Sequence, residues 1–321
     1  MKSLALQLLS EFGRHISAKL LLWGNIPEWD RREQYSEGFT GLHCAGYLGL
    51  DEIAPTLLEE VEGCGSDMVD DWGLTPLVWA AESGHEGMVK LLLDRKEVNP
   101  DSKNNDGTTP LLSATTGGHE GIVKLLLDRK EVNPDTKDKY GTTPLLRAAG
   151  GGYQGIVKLL LDRKEVNPDT KDEYGTTPLL CAARGGYEGI VRLLLDRKEV
   201  NPDPKDNDGA TPLLYAAKGR HEGVAKLLLD RKEVNPDSRD DSGQTPLLCA
   251  AEGGHEGIVK LLLGRKEVNP NSKTNHGRTA LWCAAKGGHD RIVKLLQGRR
   301  DAQSGTGTNY PPAFLRFGNY L

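Results

Sequence analysis

The feature that most constrains this chain is a Thr-Pro-Leu tripeptide returning at Thr75, Thr109, Thr143, Thr177, Thr211 and Thr245, in steps of 34 residues. Thr279-Ala280-Leu281 continues the series, and Thr40-Gly41-Leu42 precedes it by 35. Self-similarity at so short a period confines the fold to a row of supersecondary modules. No module of this size buries its apolar side alone, so each must stack on its neighbours. About eight repeats result, the first and last atypical, as end caps should be.

The repeat from Asp172 to Asn201 reads as turn, helix, turn, helix, loop. Asp172-Glu173-Tyr174-Gly175 has the Asp and Gly of a β-turn, with the Asp placed to bond its own backbone. Thr177 suits an N-cap and Pro178 the first helical position. Leu179, Leu180, Ala182 and Ala183 form a short helix whose alanines let a neighbour approach, and Gly185-Gly186 ends it. Glu188 stands in the first turn of a second helix, favourable for the dipole. Ile190, Val191, Leu193, Leu194 and Leu195 supply the apolar face of that helix.

The motif Asp-x-x-Gly-x-Thr-Pro-Leu-x-x-Ala-Ala-x-x-Gly-His, followed by Ile-Val-Lys-Leu-Leu-Leu, resembles the ankyrin repeat over residues 37–298. Its Val-Asn-Pro-Asp wording is similar to ankyrin arrays of fungal proteins, some of which follow a nucleotide-binding NACHT module. No Gly-x-x-x-x-Gly-Lys-Ser/Thr phosphate loop occurs in this sequence. The resemblance implies an all-α ankyrin-repeat solenoid of helix-turn-helix units with projecting β-turn or hairpin loops. It also implies a non-catalytic scaffold or adaptor that binds protein partners on its concave turn-and-helix face.

Three departures from the family pattern stand out. The His expected after Thr-Pro-Leu survives only as His43, while Val78, Leu112, Leu146, Leu180, Leu214, Leu248 and Trp282 replace it elsewhere. The second helix runs into Asp-Arg-Lys-Glu without a glycine cap. Gly87, Gly121, Gly155, Gly189, Gly223 and Gly257 enter its first turn at up to ~1 kcal/mol each against Ala, so single repeats are expected to be marginal. Before the array, Leu8, Leu9, Phe12, Ile16, Leu20 and Leu21 recur at helical spacing, and residues 1–36 read as a helical N-terminal cap. Residues 299–321, with Gly-Thr-Gly-Thr and Pro311-Pro312, read as a disordered tail.

Composition narrows the function. The net charge of −5 lacks the basic excess of a phosphate-tracking nucleic-acid binder. No apolar run reaches the ~20 residues that cross a bilayer, and the apolar N-terminal stretch is interrupted by Ser10, Glu11 and Arg14 before any cleavage site. Five cysteines, an odd number with no CxxC pair, are expected to stay reduced in a cytoplasmic or nuclear protein. A monomer without cofactor is expected.

Candidate binding residues follow from comparing near-identical repeats. Variation concentrates at the pre-Thr tips (Asp71-Trp72, Asn105-Asp106, Lys139-Tyr140, Glu173-Tyr174, Asn207-Asp208, Asp241-Ser242, Asn275-His276) and at the helix position after Ala-Ala. In the family resembled, these positions line the partner-facing surface. Solvent-facing positions also drift in duplicated arrays, but drift leaves polar residues more often than Trp72, Tyr140 and Tyr174, which belong to types enriched at binding hot spots. The candidate set is therefore Trp72, Tyr140, Tyr174, Arg184, Lys218, Glu252, His276, Arg278 and Lys286.

The remaining patterns read as structural. Cys44, Cys181, Cys249 and Cys283 share one repeat position, too far apart for a disulfide and without short-range partners for zinc. His85, His119, His221, His255 and His289 fall at the inter-helix turn, a capping place with no nucleophile at fixed spacing. Arg-Lys pairs such as Arg163-Lys164 make a basic edge that flanking Asp and Glu neutralise. No catalytic or metal-binding residue is expected. A transcriptional co-regulator acting through protein contacts is the alternative reading, and an enzyme is disfavoured.

Overall fold

The helices of the array, the last excepted, are too short to stand alone. The computed structural model describes residues 38–60 and 65–304, and all but the last of its helices there span seven or eight residues. Isolated helices below ~12–15 residues are marginal in water, so packing must hold these. The described residues fall into two compact groups divided between Val200 and Asn201. The N-terminal group contains α1 (Gly41–Leu48), α2 (Ala54–Glu60), α3 (Pro76–Ser83), α4 (Glu86–Leu93), α5 (Pro110–Thr116), α6 (Glu120–Leu127), α7 (Pro144–Gly151), α8 (Gln154–Leu161), α9 (Pro178–Gly185) and α10 (Glu188–Leu195). The C-terminal group contains α11 (Pro212–Lys218), α12 (Glu222–Leu229), α13 (Pro246–Glu252), α14 (Glu256–Leu263), α15 (Ala280–Lys286) and α16 (Asp290–Ser304). No strand occurs among the described residues; one isolated antiparallel bridge joins Lys273 and Thr279.

Within each group, first helices pack on first helices and second on second: α1, α3, α5, α7 and α9 in turn, then α11, α13 and α15. The close approach follows from small residues, since Ala80, Ala81, Ala148, Ala149, Ala182 and Ala183 are all fully buried. Ile122, Leu126, Ile156, Leu160, Ile190 and Leu194 of the second helices fill the other side of the seam. Each such side chain contributes ~1.5–3 kcal/mol on burial.

The start of each first helix is set locally. Thr75 Oγ1 accepts the Val78 amide at 3.3 Å, and Thr109, Thr143, Thr177, Thr211, Thr245 and Thr279 repeat the bond. Proline at the first helical position forfeits only an amide that would go unpaired. Gly84, at φ 83°, and Gly186, at φ 73°, end their helices in the left-handed region.

The histidine departure has a clear outcome. His43 is buried, takes the Thr40 amide on Nδ1 at 3.0 Å and donates from Nε2 to the Leu74 carbonyl at 3.0 Å. Burial holds its pKa below the usual histidine value. In the repeats that follow, Val78, Leu112, Leu146, Leu180, Leu214 and Leu248 are buried at the same position. There the threonine cap works alone, and an apolar contact replaces the imidazole bridge.

The helix-turn glycines are more than a propensity loss. A Cβ on Gly121 would collide with the Glu86 carboxylate of the preceding repeat, and one on Gly155 with that of Glu120. The missing side chain admits an anion to the first turn of the next second helix, where the dipole favours negative charge. The last helix, α16, runs past the expected array end at residue 298 to Ser304, because Arg299, Arg300, Asp301 and Ala302 contain no helix breaker. The cap expected in residues 1–36 and the tail from residue 305 lie outside the described residues.

A row of aspartates ties successive connecting loops together. The Asn133 amide donates to Asp101, the Asn167 amide to Asp135, and the Asn235 amide to Asp203 at 3.1 Å. The other oxygen of Asp101, Asp135 and Asp203 is buried without a hydrogen-bond partner. Desolvation is the leading cause that raises these carboxyls above the ordinary aspartate value, against the amide that lowers them. A raised folded pKa means that stability from protonation is fully present below the unfolded value of about 3.9 and lost as pH rises through the folded value. At pH 7 these carboxylates therefore work against folding. Replacing Asp101 and Asp135 together by Asn is expected to raise the thermal midpoint at pH 7, with the gain shrinking as pH falls toward 4. Equal midpoints at pH 7, or a gain that grows on acidification, would contradict the assignment.

Candidate interaction surface

Most turn tips owe their shape to one aspartate, with Asn104 and Thr274 in its place at two of them. Asp138 Oδ1 accepts the amides of Tyr140 at 2.9 Å and Thr142 at 2.8 Å, and Asp172 holds Tyr174 and Thr176 in the same way. Asp206 and Asp240 repeat the arrangement in the C-terminal group. The second oxygen receives a donor from the first helix, nine residues on. The donors are Trp79 Nε1 to Asp70 at 3.1 Å, Arg147 Nη2 to Asp138 at 3.3 Å, and Tyr215 Oη to Asp206 at 2.6 Å. The tips at Asp70, Asp138 and Asp206 are thus tied to their own helices.

Adjacent tips are also tied to each other. The Asn105 amide donates to the Trp72 carbonyl at 3.0 Å, Lys139 to Asp106 at 2.8 Å and Glu173 to Tyr140 at 2.9 Å. In the C-terminal group Asp241 donates to Asp208 at 2.9 Å and Asn275 to Ser242 at 3.1 Å. A row of tips fixed in this way presents a backbone with little left to order on binding, which lowers the entropic cost of association.

In the N-terminal group, Tyr140 and Tyr174 stand on adjacent tips, 43% and 61% exposed. Lys139 Nζ lies 4.8 Å from the Tyr140 ring centre while pairing with Asp106 Oδ1 at 2.8 Å. The Glu173 carboxylate raises the Tyr174 phenol above its ordinary pKa. Trp72 is half-buried and walls a groove of about 440 Å³ with Glu82, Asn105, Asp106, Thr116 and Arg147. Arg184 is exposed at the end of α9. In the C-terminal group Lys218, Glu252, His276, Arg278 and Lys286 are all exposed. Arg278 and Lys286 meet on Trp282, a residue outside the candidate set, at 5.1 and 5.0 Å from its ring centre.

The patterns read as structural have concrete partners. Histidine Nε2 atoms donate to the end of the preceding first helix: His85 to the Tyr47 carbonyl at 2.9 Å, His119 to Glu82 at 3.0 Å, His289 to Glu252 at 3.1 Å. Tyr153 substitutes through its hydroxyl, 3.5 Å from the Thr116 carbonyl. On the basic edge, Arg129 pairs with Asp94 at 3.3 Å, Arg163 with Asp128 at 3.4 Å and Arg265 with Asp230 at 3.6 Å, each across one repeat. Cys44, Cys181, Cys249 and Cys283 are free thiols. Burial pushes Cys44 and Cys249 up to about 12 and Cys181 to about 11, so none is a ready nucleophile at neutral pH. No metal-binding trio of His, Cys, Asp or Glu occurs among the described residues.

Two features escaped the sequence reading. At the repeat position that elsewhere holds the cysteines, Trp79, Arg147 and Tyr215 supply the donor that braces the tip aspartate. The signal was present as an Asp followed nine residues later by a donor-bearing side chain. Trp79 also stacks edge-on against Phe39 and Tyr47, with ring centres 5.7 Å apart in both cases. Tyr215→Phe is expected to cost ~1 kcal/mol or somewhat more, because the partly buried Asp206 carboxylate loses a short charged hydrogen bond. Chemical denaturation would measure it, and an unchanged midpoint would show the brace to be idle.

The match to a family model described as ankyrin repeats (3 copies) covers residues 6–104, 96–172, 155–240 and 228–305. No match was found among the curated proteins. No helix among the described residues is long and apolar enough to cross a membrane.

Proposed function

The chain belongs to the ankyrin-repeat family, whose repeats serve protein–protein interaction, and from that premise we propose that its turn tips and first helices form the binding face for a protein partner. The observation that carries this reading is the pair Tyr140 and Tyr174, exposed on adjacent tips whose backbone is pinned at Asp138 and Asp172. Aromatic side chains presented to water from a fixed backbone are groups that repay burial by a partner. The edge of the repeats is a poorer candidate, because Arg129 and Arg163 already spend their charge on Asp94 and Asp128. The role is that of a scaffold or adaptor in the cytoplasm or nucleus, where buried thiols such as Cys44 and Cys249 stay reduced.

Photo-crosslinking tests the face directly. A benzophenone side chain placed at position 140 or 174 is expected to capture a partner in living cells, and the same group at Lys164 to capture far less. Efficient capture from Lys164 with none from the tips would reject the face.

A further inference from the structure

We propose that Arg278, Trp282 and Lys286 form a docking site for an acidic peptide segment of a partner protein. The proposal deepens the protein-binding reading above, on which it rests, by assigning a partner chemistry to one place in the C-terminal group.

The site begins with a residue out of pattern. Trp282 is the third residue after its threonine, where α11 and α13 carry Leu214 and Leu248, 4% and 1% exposed. Those leucines fill the seam between stacked first helices. Trp282 instead leaves 41% of its surface exposed among the described residues, and its indole carries two cations. Arg278 approaches from just before the helix N-cap and Lys286 from the last turn of α15, so the helix brings both to one ring. The tip that carries Arg278 is itself fixed, with the Thr274 amide donating to the Arg278 carbonyl at 2.9 Å and the Lys273–Thr279 bridge closing it. Lys273 and His276 are exposed on the same tip.

Charge balance sets this patch apart from the other tips. In the N-terminal group Lys139 is answered by Asp106 at 2.8 Å and Arg147 by Asp138 at 3.3 Å. Among the described residues no carboxylate forms an ion pair with Arg278 or Lys286. Glu252 at the end of α13 is one carboxylate that shares their surroundings, since Glu252, Arg278 and Lys286 all act on the Cys283 thiol. The tip itself, Lys273 to Arg278, adds a lysine and an imidazole and no acid. A ring contact orients a cation without neutralising it, so a carboxylate from outside is the missing partner, and a guanidinium receives it bidentately. The exposed part of the indole accepts an apolar or aromatic side chain next to that carboxylate. A peptide alternating acid and apolar residues satisfies both demands.

Other occupants fit less well. A nucleic acid would bring a dense row of phosphates toward a chain of net charge −5. The chain's own residues 305–321 contain Arg316 and no Asp or Glu, so they bring no side-chain carboxylate to the cations.

The test is a titration of the full chain with a fluorescein-labelled peptide of four glutamates around a central phenylalanine. Comparison probes are the same peptide with lysine for glutamate and a labelled single-stranded oligonucleotide. The acidic peptide is expected to bind, weakening with salt, while the lysine peptide does not. Arg278→Glu plus Lys286→Glu should lower affinity about tenfold or more, and Trp282→Leu, which restores the residue of the inner repeats, about fivefold. Arg163→Glu plus Lys164→Glu should leave it within about twofold. Circular dichroism of each variant separates lost binding from lost folding, and Trp282→Leu serves where the charge reversal unfolds. Unchanged affinity in both site variants overturns the proposal. So does preferential binding of the oligonucleotide through the same residues, or a gain in peptide affinity when the chain is cut after Ser304, which would make the tail the occupant. A cellular partner lost on mutating Tyr140 and Tyr174 but indifferent to Arg278 and Lys286 sinks this proposal alone and leaves the protein-binding reading standing.

Discussion

Replacing Tyr140 and Tyr174 together by alanine is expected to weaken binding of the protein partner by about tenfold to well over a hundredfold while leaving helix content unchanged. Truncating an aromatic anchor typically removes ~1–3 kcal/mol of binding energy, and each 1.4 kcal/mol is about a factor of ten. The fold should not notice, because neither ring is part of the packed seam and the tip backbone is held by Asp138 and Asp172 rather than by the tyrosines. Arg163→Ala with Lys164→Ala is the matched control. Arg163 is committed to Asp128 at 3.4 Å, and exposed pairs of this kind are worth ~0–1 kcal/mol. Calorimetric titration of a partner captured by crosslinking decides between the faces. A tyrosine variant that binds normally while the edge variant does not would assign recognition to the edge.

Deleting residues 280–321 should give the largest loss of stability. The deletion removes α15 and α16, which pack on α13 and α14. Leu248 and Cys249 of α13 and Ile258 and Leu262 of α14 are almost wholly buried in the complete group. Uncovering part of each forfeits on the order of several kcal/mol at ~25 cal/mol per Å². A fall of about 10 °C or more in the melting midpoint follows, with unfolding spread over a wider range because each repeat leans mainly on its neighbours. Light scattering should show self-association through the new apolar end. A shortened chain that remains monomeric and melts with the full-length protein would mean that α15 and α16 contribute little to holding the group.

The two expectations draw on different levels of the molecule, and so does what the sequence reveals. Features closed within a few residues were legible beforehand. Thr177 caps the amide three residues on, Asp172 takes those two and four residues on, and Gly186 turns left-handed at a helix end. None of these depends on what lies elsewhere in the chain, and their return every 34 residues is enough to call for a stack of helix pairs. What a side chain touches across the stack was not legible. Whether His43 bridges or Leu112 packs, whether a glycine merely weakens a helix or admits Glu86, and whether Asp203 keeps an orphaned oxygen depend on the neighbouring repeat. Trp282 shows the division most plainly. In the sequence it is only one of the residues that replace the family's histidine, and only the packed structure shows its indole 41% exposed with Arg278 and Lys286 upon it. Local hydrogen bonds are written in short stretches of sequence, whereas burial and charge balance belong to surfaces assembled from residues that the chain brings together only by folding.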